Sequence, residues 1–254
     1  MSDLGLLVRL IGYEQKIYWR NAASAFFTFG FPLAFFFIFA TIFGSRPNGD
    51  LGGVKSIQYY TPSILGYAIM SACFVNIALM LATRRENGIL KRLRGTPLPA
   101  WALVGGIFGS SIIVSGLLTG VSLGFARIVY GVSLPAAHLP PVLVTILFAA
   151  LAFCAMGVAV SALIPNAEAG PAIINLPFFI LVFLSGTYFP VTGNLARVSG
   201  WFPLRPFIQA LYRPFNPHAT GSLWSWGDLR IILVWGVVGA ALAVRWFRWQ
   251  PPRR

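Results

Sequence analysis

The sequence predicts an all-α integral membrane protein with six transmembrane helices, and two observations carry that prediction. Of 254 residues, 57% are hydrophobic and only 10% are charged, against roughly a quarter charged in soluble domains. The chain is also divided into charge-free runs at 21–45, 56–83, 95–126, 128–167 and 169–196. Each run exceeds the ~20 apolar residues that cross a hydrocarbon core of about 30 Å. A soluble fold would need a polar shell, which this composition does not supply.

Residues 4–20 come first. Leu6, Leu7, Leu10, Ile11, Ile17 and Tyr18 recur at helical spacing, with Arg9, Glu14, Lys16 and Arg20 between them. That pattern describes an amphipathic helix lying in the headgroup layer, too charged to span. The first span is expected at 22–43, with Pro32 as a kink, and a Gly-rich polar loop follows at 44–58. The second span is placed at 59–82, and a basic segment, TRRENGILKRLRGTPLPA, occupies 83–100. In the third span, 101–125, Gly105, Gly109, Gly116, Gly120 and Gly124 draw one stripe suited to close helix packing. A loop around His138 leads to the fourth span at 142–163, and IPNAEAG turns the chain into the fifth at 170–188. Residues 189–225 interleave Pro, Trp and Arg, a pattern for short helices at, or re-entrant from, the outer interface. The last span, 227–247, has a charge-free stretch of only 14 residues, 231–244. Asp228, Arg230 and Arg245 therefore belong at the interfaces, beside Trp224, Trp226, Trp246 and Trp249.

An even number of spans puts both termini on one side of the membrane. With that side cytoplasmic, twelve of the 19 Lys and Arg residues lie inside and seven outside, the bias that orients membrane proteins. The first 20 residues carry Arg9, Lys16 and Arg20 without a compact apolar core and a small-residue cleavage site, so no cleaved leader is expected. The net charge of +13 is spread between apolar runs rather than over an aromatic-interleaved basic face, which argues against nucleic acid as a partner. None of Lys16, Lys55 and Lys91 follows a GxxxxG phosphate loop, so no ATP site is expected in the chain. Two histidines, His138 and His218, and two cysteines, Cys73 and Cys154, give no metal, cysteine-nucleophile or disulfide pattern. The first five spans hold no ionisable residue; Glu168 and Asp228 sit at span ends. That weighs against an ion-coupled secondary transporter and against a membrane enzyme. The chain is not expected to be an enzyme by itself, and its driving force should come from a partner.

The natural contact for such a partner is the basic segment. Arg84, Arg85, Glu86, Lys91, Arg92 and Arg94 surround Ile89, Leu90 and Leu93, with Gly95, Pro97 and Pro99 as breakers. This reads either as a solvated positive-inside loop or as an amphipathic knob whose Leu90 and Leu93 meet a soluble subunit while the charges set register.

Three stretches, RRENGILKRLRGTPLP (84–99), FLSGTYFPV (183–191) and FPLRPFIQALYRPFNP (202–217), carry a resemblance to a known family. With the N-terminal interfacial helix and the Trp-rich last span, the chain resembles the permease subunit of type-2 ABC transporters, which include daunorubicin-resistance-like drug pumps and polysaccharide exporters. It departs at Asn194, where members often have Pro. The resemblance implies a single transmembrane domain in a bacterial cytoplasmic membrane. Its partners would be a second permease, identical or paralogous, and two ATPase subunits that bind ATP and magnesium. Arg84, Arg85, Glu86, Gly88, Leu90, Arg92 and Leu93 would form the coupling helix. Substrate would pass between the two permeases along the second and fifth spans, with Phe178, Phe179, Phe183 and Tyr188 as candidate lining. The segment 189–225 would gate the outer side. An amphipathic drug-like or lipid-like cargo fits the Phe-rich spans; a polysaccharide or glycolipid is the alternative.

Overall fold

The computed structural model describes residues 3–43, 55–133, 136–186, 193–216 and 221–247. Helix α1 (Asp3–Arg20) meets α2 (Ala22–Phe43) at Asn21, whose Oδ1 accepts the Ser24 N–H at 3.2 Å and so occupies an orphan donor of α2. Next come α3 (Ser56–Met70), a π-helical turn (Ser71–Val75) and α4 (Asn76–Glu86), which together form one continuous 31-residue rod. The short α5 (Ile89–Arg94) precedes α6 (Ala100–Tyr130), and a 3-10 turn (Ala136–His138) leads into α7 (Leu139–Ser161). The remaining helices are α8 (Gly170–Leu184), α9 (Gly193–Ser199), α10 (Leu204–Phe215) and α11 (Trp226–Trp246).

Five of these segments are long and apolar enough to span: α2, α3–α4, α6, α7 with its 3-10 lead-in, and α11. The sixth, α8, is apolar but has 15 residues, a rise of about 22 Å, less than the predicted 170–188. Two other boundaries move. The rod α3–α4 extends to Glu86, so Arg84, Arg85 and Glu86 belong to the second span's helix rather than to a loop. Helix α6 runs to Tyr130 and ends at Gly131, whose φ of +64° suits a glycine C-cap. Arg127 therefore sits in the last helical turn.

The bundle is built around α3–α4 and α7, 67% and 72% buried over their apolar windows, whereas α2 and α11 are 17% and 22% buried and form the rim. Without a hydrophobic drive between helices in lipid, close approach at small residues holds such a bundle. A Cβ on Gly157 would stand 2.8 Å from Phe74 O in the π turn, and one on Gly239 would stand 2.8 Å from Met156 N. The glycine stripe of α6 divides in two. Gly105 and Gly109 meet Leu7 and Ile11 of α1, while Gly116, Gly120 and Gly124 face open space. Helix α1 thus packs along the N-terminal third of α6, and Gln15 Nε2 donates to Ser110 O at 2.9 Å there.

Between α8 and α11 the described chain forms the two short helices α9 and α10. Helix α10 buries Phe207, Leu211 and Phe215 against the bundle. Gln58 Nε2 donates to Phe215 O at 2.8 Å, Ser63 Oγ and Tyr212 Oη lie 2.9 Å apart, and His138 Nδ1 reaches Pro214 O at 2.7 Å. Both cysteines are free and buried, and Cys73 Sγ lies 3.2 Å from Ser115 Oγ, with Cys154 beside it.

Adding a methyl at Gly239 has to push α11 off α7 backbone. Gly239→Ala is expected to lower stability by about 1–3 kcal/mol in a detergent unfolding titration. Gly120→Ala, which meets nothing within 4 Å, should leave stability unchanged or raise it by up to about 1 kcal/mol.

Candidate functional site

Successive residues on a helix point about 100° apart, so three charged residues in a row at a helix end reach in three directions. Arg84, Arg85 and Glu86 do this at the C-terminal end of α4. Arg84 turns towards α1, where its Nη1 and Nη2 each donate to a Glu14 carboxylate oxygen at 2.7 Å. Both partners are buried, and the fork-to-fork geometry satisfies both carboxylate oxygens. Arg85, 4% exposed, turns towards α7 and donates to Ser161 O at 3.1 Å and to Ile164 O. Ser161 O belongs to the C-terminal turn of α7, the negative pole of that helix, and Ile164 O lies in the turn that follows. Glu86 turns towards the turn before α8, and its Oε2 accepts the Ala167 N–H at 2.5 Å. Asn166 Oδ1 accepts the Ala169 N–H at 2.8 Å in the same turn. One helix end is thereby fastened to α1, α7 and the start of α8.

Beyond this hub the chain reverses. Asn87 N donates to Thr83 O at 3.0 Å and Gly88 N to Arg85 O at 3.1 Å. Gly88 has a φ of +68°, which a Cβ would strain. Helix α5 follows. Its Leu90 is 1% exposed and belongs to this chain's own core, so it is not free to meet a soluble subunit. The reason is the αL turn at Gly88, which lays α5 back on the bundle with Leu90 innermost. Ile89 is exposed in its place, beside the exposed Lys91, Arg92 and Arg94, while Leu93 is half-buried. Arg92 Nη2 donates to Asn87 O at 3.3 Å and Thr96 Oγ1 to Leu93 O at 2.6 Å, which hold the knob in shape.

The candidate lining residues do not share a face. Phe178 is buried and packs on Tyr67 with ring centres 5.3 Å apart, because its helical position faces α3. Phe179 and Phe183, one turn apart, are exposed with Leu176 and Ile180 on the outer side of α8. Tyr188 lies outside the described residues. Among the described residues no three His, Cys, Asp or Glu side chains group as a metal site.

The family model of the ABC-2 type transporter matches residues 6–213, from α1 through the hub and knob to α10. The chain belongs to the ABC-2 type transporter family. A comparison with curated proteins found no match. Membership makes this multi-pass chain a permease subunit of an ABC transporter. In this ABC-2 subunit the inner end of the second span is a structural hub first. Sequence reasoning grouped Arg84, Arg85 and Glu86 with the exposed knob and missed Glu14. A signal for Glu14 was present: it follows Leu7, Leu10 and Ile11 by seven, four and three residues, which places it on the apolar face of α1.

Glu14→Gln leaves the Arg84 guanidinium buried without its counter-ion and is expected to cost about 3 kcal/mol in a detergent unfolding titration. Replacing both residues by apolar ones, Glu14→Leu with Arg84→Met, should recover most of that loss.

Proposed function

We propose that this permease subunit moves an amphipathic, drug-like or lipid-like substrate out of the cytoplasm or the inner leaflet. The energy comes from ATP hydrolysed by two separate ATPase subunits. The observation that carries this reading is the knob: an exposed apolar residue, Ile89, set among Lys91, Arg92 and Arg94 on a helix fastened to three bundle helices. A soluble subunit that grips such a knob moves α1, α7 and α8 with it. The contact residues are Gly88 through Arg94, with Ile89 taking the apolar role first given to Leu90. Arg84, Arg85 and Glu86 transmit the motion inwards.

A second permease, identical or paralogous, supplies the other wall of the pathway. The apolar row Leu176, Phe179, Ile180 and Phe183 on α8, partly exposed, is consistent with that arrangement. So is the absence of an ionisable side chain along this row, which favours an apolar cargo surface. The short helices α9 and α10 close the outer end as the gate. Both termini face the cytoplasm of a bacterial cell, as the distribution of basic residues supports.

Arg92→Glu with Ile89→Ala changes the exposed side of α5 and removes one exposed hydrogen bond, leaving Leu90 and the hub contacts in place. In reconstituted vesicles of the permease with its ATPase, this variant is expected to cut transport at least about tenfold, roughly 1.4 kcal/mol of coupling, while the chain still inserts. Undiminished transport would remove the knob from the coupling step.

A further inference from the structure

Two partly open cavities lie along the α3–α4 rod and adjoin at two shared lining residues. The inner one, about 120 Å³, is walled by α1, α4 and α6; the outer one, about 190 Å³, lies against α2 and α3. Ser24 and Asn76 line both and form the neck between them. The result is one crevice rising from the level of the interfacial helix into the apolar part of the bundle.

Its two ends differ in chemistry. The inner end presents the Glu14–Arg84 pair with Tyr18, Asn21 and Ser110. The Tyr18 hydroxyl is buried there with no hydrogen bond of ordinary geometry, with Thr28 as its polar neighbour. The outer end presents Phe27, Phe31, Pro32, Tyr67 and Val75. Ser71, Val75 and Asn76 reach the crevice from the π-helical turn and the residue after it, a local widening of the helix often found at functional sites. A wholly polar ligand would leave the aromatic end uncovered, and a wholly apolar one would set hydrocarbon against the charged pair and leave the Tyr18 hydroxyl without a partner.

The ion pair also selects the headgroup. An anion drawn to Arg84 competes with Glu14 and strands a buried carboxylate, and a cation drawn to Glu14 strands the guanidinium. A group bearing both charges avoids this, with its ammonium beside Glu14 and its phosphate beside Arg84. We propose that the crevice is a binding site for a zwitterionic amphiphile, with its headgroup at Glu14 and Arg84 and one hydrocarbon chain running past the Ser24–Asn76 neck to Phe27, Phe31 and Tyr67. The site stands whether or not the ligand is exported. A bilayer phospholipid and a free single-chain amphiphile share this chemistry.

The test is photolabelling of the full chain in nanodiscs, with adducts mapped by peptide mass spectrometry. The probes carry a chain diazirine on lysophosphatidylethanolamine, on diacyl phosphatidylethanolamine or on anionic lysophosphatidylglycerol. Adducts are expected at Ser24–Pro32 and Tyr67–Asn76, about tenfold above the anionic probe, a preference of roughly 1.4 kcal/mol. Labelling by the diacyl probe identifies a bilayer lipid, and labelling by the single-chain probe alone identifies a free amphiphile; either supports the site. Ser24→Phe with Asn76→Phe, which blocks the neck, should abolish the outer adducts while those on the lipid-facing Val234 and Val237 of α11 persist. Should that variant fail to fold, displacement of the probe from the unaltered chain by unlabelled phosphatidylethanolamine, and not by phosphatidylglycerol, makes the same distinction. Crevice labelling no stronger than that of α11, or equal labelling by the anionic probe, overturns the proposal.

Discussion

A guanidinium taken out of water costs several kcal/mol unless its donors are met, and the inner end of the α4 helix buries two of them side by side. The fold is arranged around meeting that requirement. Arg84 is met by a carboxylate from α1 and Arg85 by the last carbonyl of α7 and one in the turn after it, while the following Glu86 takes an N–H from the turn that starts α8. The three contacts come from sequence positions about 70 to 80 residues away from the rod, so they cannot be satisfied until the inner half of the bundle has assembled. Lipid provides no hydrophobic push between helices. In its place the chain uses directional polar contacts at the inner interface and bare-glycine approaches, at Gly157 and Gly239, deeper in.

That arrangement gives the exposed knob its mechanical meaning. A basic loop on a flexible tether would absorb a push from a partner. Helix α5 instead turns off the rod within two residues, through a glycine in the left-handed region, and sets Leu90 into the core. Force on Ile89 and Arg92 therefore passes to a rod whose end is bound to three other helices. The same hub forms the polar end of the crevice, through Glu14 and Arg84.

The membrane class, the order of the spans and the amphipathic helix before the first span were legible because the apolar runs are long and charged residues are scarce. The knob was legible because its charges are consecutive and breakers flank it. What the sequence hid was direction. It placed Leu90 with Leu93 on a docking face, whereas the backbone turn at Gly88 sends Leu90 inward. It put Phe178 with Phe179 in one lining, although adjacent helical residues point about 100° apart and Phe178 packs on Tyr67. The glycine stripe of α6 was visible, but only the structure shows that α1 fills its inner half and leaves Gly116, Gly120 and Gly124 uncovered. Pairing across 70 residues, as between Glu14 and Arg84, has no local signature beyond an acid on an apolar face.

The central claim is that knob and bundle move as one body through the hub. Spin labels at Lys91 on the knob and Ala172 on α8, both exposed, report this by pulsed dipolar distance measurement in the reconstituted transporter. The account predicts a single narrow distance that is the same with and without ATP and that broadens when Glu86→Ala releases the start of α8. A broad distribution in the unaltered protein, or a distance that shifts when ATP is added, would contradict it.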